Sequence, residues 1–186
     1  MTIKISTTFD AGAIEVVHAE NASAIELNLR KDSHADIAQW FYFRLQGARG
    51  ERCSMRILNA SDATYPDGWQ NYQAVASYDR KHWFRVPTSY DGKVMTIAHT
   101  PQYDSVYYAY FEPYSWERHL DLLARAQMSA TAQVQDLGNT VQGRDLNVVV
   151  IGDPAAQKKV WVIARQHPGE SLSLIHISEP TRPERI

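Results

Sequence analysis

Short runs in which apolar and polar residues alternate are the feature that most limits how residues 1–113 can fold. At residues 25–30 and 53–57 every second residue is apolar, which is the pattern of a β-strand with one buried face. Runs rich in aromatic and β-branched residues predict further strands at 40–43, 94–98 and 106–111. Because clusters of Asn, Asp, Gly and Pro separate these runs, residues 1–113 are predicted to form an antiparallel β-sandwich domain.

The pattern changes after Pro113, where a helix is predicted. Ser115 can cap it, since a serine hydroxyl at this position accepts a hydrogen bond from a backbone N–H of the first turn. Trp116, Leu120 and Leu123 follow at i, i+4 and i+7, so they lie on one face of the helix. A second domain is therefore predicted to begin at residue 114.

Three strand-like runs follow the helix, at residues 132–137, 146–151 and 159–164. The third run is almost continuously apolar, as in a strand covered on both faces of an α/β sheet. Residues 114–171 are thus predicted to be the incomplete beginning of an α/β domain in a chain that is mainly β. A few strands of a larger sheet leave unpaired edges and uncovered apolar faces, so this part is expected to be poorly ordered or prone to associate in isolation.

Composition and charge exclude several classes of function. The 186 residues carry a formal net charge of −2, which gives no electrostatic basis for binding nucleic acid or an anionic membrane. No apolar run approaches the roughly 20 residues that span a bilayer, and the N-terminus lacks the pattern of a signal peptide. The single cysteine, Cys53, cannot form an internal disulfide and is expected to be a small buried apolar residue. A cytoplasmic location is expected.

The residues that most suggest chemistry are His167 and Glu170, which flank a Pro-Gly pair directly after the third run. An imidazole and a carboxylate around a tight turn can bind one metal ion, and the end of a strand is a usual place for a site in an α/β sheet. By spacing alone, a simple turn is the commoner interpretation. The other histidines up to residue 164 show no spacing typical of a shared metal site: His18, His34, His82, His99 and His119.

The sequence around this motif resembles a known family. His167-Pro168-Gly169-Glu170, preceded by an apolar strand and by residues 141–146, is similar to the start of a zinc carboxypeptidase catalytic domain. The β-rich segment in front, closed by residues 108–115, resembles the amino-terminal domain of the cytosolic carboxypeptidase branch. The resemblance implies a zinc enzyme that hydrolyses carboxy-terminal residues from peptides or proteins.

Within this resemblance His167 and Glu170 correspond to the first and second zinc ligands. A further histidine, a general-base glutamate and the groups that hold the substrate carboxylate belong to family positions downstream of the matching region. A catalytic zinc takes three protein ligands. The chain as written is therefore expected to bind zinc weakly and to lack hydrolytic activity.

Residues 172–186 differ in character from the chain before them. Residues 172–182 resemble a translated sequencing-library adapter, so residues 172–186 are interpreted as a non-native tail; the alternative is an ordinary C-terminal loop. Two other readings of the chain remain open. It could be a non-catalytic β-sandwich binding module that uses exposed aromatic residues around Trp69 and Tyr72, or a short regulatory paralogue of the enzyme.

Overall fold

The computed structural model describes residues 2–164 of the chain. The chain divides into two compact units, Met1–Pro113 and Tyr114–Ile186. The first unit is built from ten strands in two five-stranded sheets. Sheet A has the strand order β1-β4-β10-β6-β7, and sheet B has the order β2-β3-β5-β9-β8. The strands are β1 (Lys4–Ser6), β2 (Glu15–His18), β3 (Ile25–Asn28), β4 (Tyr42–Gln46), β5 (Cys53–Ile57), β6 (Val75–Ser77), β7 (Phe84–Arg85), β8 (Thr88–Tyr90), β9 (Met95–His99) and β10 (Ser105–Ala109).

The two sheets share one hydrophobic core, as the alternating patterns predict. Leu45 and Tyr108 of sheet A belong to the same buried cluster as Met55 and Ile97 of sheet B. In β5 the residues Cys53, Met55 and Ile57 are buried while the residues between them are not, so the predicted half-buried strand is confirmed. The prediction of a β-sandwich is confirmed, with one refinement: β3 and β5 pair in parallel, whereas the other strand pairs are antiparallel.

The strand predicted at residues 40–43 begins two residues later than expected. β4 starts at Tyr42 because its ladder partners in β1 and β10 pair with residues 42–46. Trp40 precedes the ladder, and its indole N–H donates a hydrogen bond to the carbonyl oxygen of Ala11 at 2.7 Å. An aromatic run indicates a strand, but the partner strands determine where pairing begins.

The second unit contains one helix and one hairpin in its described part, up to residue 164. Helix α1 (Trp116–Gln127) is capped as predicted, since the Ser115 hydroxyl accepts a hydrogen bond from the Arg118 backbone N–H at 3.3 Å. Strands β11 (Ala132–Asn139) and β12 (Asp145–Ile151) pair antiparallel and confirm the first two strand-like runs. α1 is too short to cross a membrane, and none of the other described residues forms a longer apolar helix.

The third strand-like run is not a strand, which corrects the prediction for residues 159–164. These residues have no regular secondary structure, and residues 159–163 lie exposed instead of buried. Val160 is 87% exposed and Trp161 is 80% exposed. A β-strand exists only when its backbone groups pair with a neighbour, and among residues 2–164 no strand pairs with this run. The apolar composition of this run was therefore not sufficient to predict a strand.

Candidate metal centre

The two predicted zinc ligands, His167 and Glu170, lie outside the described residues, as does the interpreted tail at residues 172–186. The structure describes the chain that leads to them. β12 ends at Ile151, and the Asp153 carboxylate accepts a hydrogen bond from the Ala155 backbone N–H at 2.8 Å to make a tight turn. The role of His167 and Glu170 therefore stays a prediction.

The described histidines are dispersed over both units. His18 lies exposed on β2, and His34 lies exposed in the loop that precedes β4. His119 packs on Trp116 in α1, with ring centroids 5.0 Å apart. Within residues 2–164 no three His, Cys, Asp or Glu side chains converge into a group that could hold a metal ion.

His82 forms a close pair with Asp79 in the loop between β6 and β7. Its Nδ1 lies 2.6 Å from Asp79 Oδ2, and Asp79 Oδ1 accepts the backbone N–H groups of Lys81 and His82 at 2.8 Å each. The backbone N–H groups and the His82 ring hold the pKa of the Asp79 carboxyl well below its usual range. These bonds occupy both carboxylate oxygens within the loop itself, so the pair braces a turn.

His99 is the histidine most involved in the interior of the first unit. It ends β9, and its Nδ1 lies 2.8 Å from the hydroxyl of Tyr108, a fully buried residue of β10. Burial lowers the pKa of His99 and raises the pKa of Tyr108 far above its usual range. Sequence patterns did not identify this pair, because His99 follows the run at 94–98 and nothing in its spacing signals a partner nine residues away. The only signal in the sequence is the short connection between the strands predicted at 94–98 and 106–111, which brings the end of one strand close to the start of the next.

Cys53 is buried, as predicted. Burial, together with the nearby Glu51 carboxylate, raises the pKa of its thiol to about 11. A thiol ligates metal or attacks an electrophile as the thiolate, so Cys53 remains a packed apolar side chain at neutral pH.

Arg144 contacts the helix of its own unit. Its guanidinium carbon lies 5.4 Å from the centroid of the Trp116 ring, within the distance of a cation–π contact. Its backbone N–H also bonds the Thr140 hydroxyl at 3.1 Å in the turn before β12. Packing on the helix and formation of the turn account for these two contacts.

Trp69 and Tyr72, around which the binding-module alternative places its contact surface, are not themselves exposed. Trp69 is 1% exposed, and its indole N–H donates to the Ala60 carbonyl oxygen at 2.9 Å. The Tyr72 hydroxyl donates to the Tyr110 carbonyl oxygen at 2.5 Å. This corrects the expectation that these rings are exposed: large aromatic side chains fill the sandwich core, where an indole N–H and a phenol O–H find backbone acceptors.

The side chains of His167 and Glu170 are of the types that bind zinc. A histidine nitrogen and a glutamate oxygen are two of the three ligand types that zinc prefers, and catalytic sites often combine two histidines with one glutamate. A catalytic zinc takes three protein ligands, so the motif by itself is one ligand short.

Comparison with known proteins matches each of the two units to a family model. The family model described as cytosolic carboxypeptidase N-terminal domain matches residues 5–111, and the model described as zinc carboxypeptidase matches residues 117–174.

Solved structures agree with this assignment. A metallo-carboxypeptidase from Burkholderia cenocepacia is 55% identical with a TM-score of 0.92, covering 96% of this chain and 48% of that one. A putative carboxypeptidase from Burkholderia mallei is 60% identical with a TM-score of 0.91, covering 96% of this chain and 46% of that one. Human cytosolic carboxypeptidase 6 is 28% identical over 89% of this chain and 37% of its own length. The chain spans about half the length of the solved carboxypeptidases.

Proposed function

Because the chain belongs to the zinc carboxypeptidases, with the amino-terminal domain of the cytosolic branch in front, we propose that it is the front part of an enzyme that hydrolyses carboxy-terminal residues from peptides or proteins. One observation carries the proposal. The match to the zinc carboxypeptidase model runs from residue 117 to residue 174 and so includes both His167 and Glu170. A cytosolic location is part of the same proposal, supported by the family of the first unit and by the buried free thiol of Cys53.

His167 and Glu170 are the first and second zinc ligands in this proposal. When bound, zinc supplies Lewis-acid activation of the scissile carbonyl and of a water molecule. His167 binds through a neutral imidazole nitrogen and Glu170 through an ionised carboxylate, so protons compete with the metal for both side chains. Zinc affinity is therefore expected to fall as the pH drops below about 6.5, where an ordinary imidazole becomes protonated.

The 186 residues by themselves are proposed to be inactive. Two ligands leave a catalytic zinc site incomplete, and no general base has been assigned within the chain. The third ligand, the base and the groups that bind the substrate carboxylate would then come from sequence not contained in these residues. Peptides and proteins with free carboxyl termini are the partners of the complete enzyme, and neither nucleic acid nor membrane has a role.

The test begins with the source locus. Sequencing across the codon for Ser171 should reveal a reading frame that continues into an α/β stretch with a further histidine and a glutamate. The protein encoded by that frame should release carboxy-terminal residues from peptides, measured by mass spectrometry. His167→Ala and Glu170→Gln should abolish the release, whereas His34→Ala, at an exposed histidine of the first unit, should leave it unchanged.

A stop codon near Ile186 at the locus would refute the enzyme and support a short paralogue or a binding module. Full activity of His167→Ala in the extended protein would refute the ligand assignment alone. A direct check on the 186-residue chain is equilibrium dialysis against zinc. Weak binding that His167→Ala removes and His34→Ala keeps is expected; binding unaffected by His167→Ala would contradict the assignment.

A further inference from the structure

A basic loop connects β6 to β7 in sheet A. The loop spans residues 78–83, and Arg85 follows it on β7. Arg80, Lys81 and Arg85 are all exposed. Three positive charges therefore lie within the six positions 80–85 of a chain whose formal net charge is −2. Such a local excess of one sign of charge creates a field that attracts groups of the opposite sign.

The contacts of Arg80 and the strand register place three arginines on the outer face of sheet A. The Arg80 guanidinium carbon lies 5.7 Å from the centroid of the Tyr107 ring, within the distance of a cation–π contact. Arg44 on β4 is the cross-strand partner of Tyr107, so its side chain leaves the sheet on the same face. Arg85 pairs with Val75, which belongs to the same cluster as Tyr107 outside the main core.

The four cations Arg44, Arg80, Lys81 and Arg85 have no ionic partner among residues 2–164. The ion pairs within this range are Lys31–Asp36, Arg56–Glu26 and His82–Asp79. Asp79 is the acidic residue of the loop, and both of its carboxylate oxygens already accept hydrogen bonds within the loop. The positive charge of this face therefore lacks compensation, whereas Arg56 on sheet B is neutralised by a carboxylate at 3.0 Å.

The loop is held in one conformation by its own hydrogen bonds. The Ser77 hydroxyl accepts the Arg80 backbone N–H at 2.8 Å, and Asp79 Oδ1 accepts those of Lys81 and His82 at the same distance. Arg80 has φ of +61°, a value that residues other than glycine rarely adopt and that occurs often at ligand-binding sites. Because the loop is already ordered, a ligand does not have to order it on binding.

Carboxylates in a polypeptide are the anions that best fit this surface. Guanidinium groups bind carboxylates through two parallel hydrogen bonds, and three of the four cations are arginines. Nucleic acids are bound through many phosphates along a strand, for which this face offers few cations. A membrane-binding loop turns its aromatic rings toward the lipid, whereas Trp83 packs edge to face on Tyr42 with its indole nitrogen buried.

We propose that residues 80–85, together with Arg44, form a docking site for an acidic segment of a polypeptide, which binds through its side-chain carboxylates. The site lies in the first unit, Met1–Pro113, and requires neither zinc nor a free carboxyl terminus on the bound segment. It is therefore independent of the proposed hydrolysis of carboxy-terminal residues. Either proposal can fail while the other holds.

Fluorescence anisotropy of the full 186-residue chain with a short labelled peptide tests the docking site. The peptide alternates Asp and Ser and is acetylated and amidated at its ends, so a carboxypeptidase cannot use it as a substrate. It should bind, and its affinity should fall as the salt concentration rises. The same peptide with Asn in place of Asp should not bind.

Two double variants with the same change in net charge locate the site. Arg80→Gln combined with Lys81→Gln should weaken binding of the acidic peptide about five-fold, because each exposed charge pair contributes a modest free energy. Lys31→Gln combined with Lys93→Gln removes two exposed cations outside residues 80–85 and should leave the affinity unchanged. Lys81→Glu reverses a charge at an exposed position without altering the core, so its several-fold loss of affinity is expected even if the double variant folds poorly.

Four results would overturn the proposal. The first two are failure of the wild-type chain to bind the acidic peptide and equal binding of the Asn peptide. The third is equal weakening in the two double variants, which would mean that only net charge matters. The fourth is tighter binding of a single-stranded oligonucleotide of the same charge, or of vesicles that contain phosphatidylserine, which would assign the surface to a different class of partner.

Discussion

At the scale of single residues, large aromatic side chains fill the hydrophobic core of the sandwich. Trp69 meets the rings of Tyr72 and Tyr110 edge to face, with centroids 5.4 and 5.2 Å away. Its N–H is bonded to the Ala60 carbonyl oxygen. A sequence shows that such residues are present, but their burial depends on which distant rings surround them. For that reason the exposure of Trp69 and Tyr72 could not be judged from the sequence.

Replacement of Trp69 should be among the most damaging substitutions in the first unit. Trp69→Ala removes a fully buried ring and leaves the Ala60 carbonyl without its donor, so a loss of about 3–5 kcal/mol in the free energy of unfolding is expected. Urea denaturation followed by circular dichroism measures it. Tyr65→Ala is the control, because the Tyr65 side chain is 67% exposed. A loss for Trp69→Ala as small as that for Tyr65→Ala would contradict the described core.

For the two candidate ligands, His167 and Glu170, the residues themselves were not sufficient to predict a metal site. A histidine and a glutamate three residues apart are common by chance, so their spacing by itself did not favour a metal site over a turn. The resemblance of the flanking segments to a zinc enzyme is what assigns them a role. Their geometry lies outside the described residues, and the assignment stays a prediction until His167→Ala is measured.

At the scale of elements, local patterns predicted five of the ten strands described in the first unit and gave little information on which strands pair. The alternation at 53–57 predicted β5 and its buried face, and Ser115 predicted the start of α1. The parallel pairing of β3 with β5 has no local signal, because it depends on the path of the chain between them. The prediction of a strand at 159–164 was wrong for the same reason, because a strand needs a partner to pair with and an apolar composition does not provide one.

The junction after β4 supplies a prediction at this scale. Gly47 has φ of +82°, and a Cβ atom at this position would collide with the backbone carbonyl of Thr2 next to β1. Gly47→Ala should therefore cost more than about 1 kcal/mol of unfolding free energy, because alanine is strained at positive φ and the backbone must also move. Thermal unfolding measures the change.

Gly68→Ala is the matched control for this substitution. A Cβ atom at Gly68 meets no other atom within 4 Å, and its φ is not positive. Alanine there should be neutral or stabilise by up to about 1 kcal/mol through the unfolded chain. Equal melting temperatures for the two variants would contradict the described course of the backbone at Gly47.

At the scale of the whole molecule, the two units differ in how well they bury apolar side chains. The first unit has a continuous core, with residues such as Phe43 and Ile97 fully buried. In the described part of the second unit, helix α1 has no buried residue, and the exposed apolar side chains include Trp161. The expectation of uncovered apolar faces in the second unit agrees with these exposures.

Self-association of the 186-residue chain should depend on the exposed run at 160–163. Sedimentation velocity over a range of concentrations should show association, because a contiguous exposed apolar segment favours contact with another copy. Trp161→Lys should reduce it, and Tyr65→Lys, at another exposed aromatic residue, should not. A monomer at every concentration, or uniform hydrogen-exchange protection of residues 146–164 in the monomer, would refute this prediction.

The parallel pairing of β3 with β5 in sheet B has a consequence for how the first unit folds. β3 and β5 lie side by side, but the chain between them runs through β4, a strand of sheet A that pairs with both β1 and β10. Sheet B therefore cannot be completed until the chain has passed through sheet A and returned. Neither sheet is a separate folding unit, and most pairings join residues far apart in sequence. A topology dominated by such long-range pairings is expected to fold on the order of milliseconds to seconds.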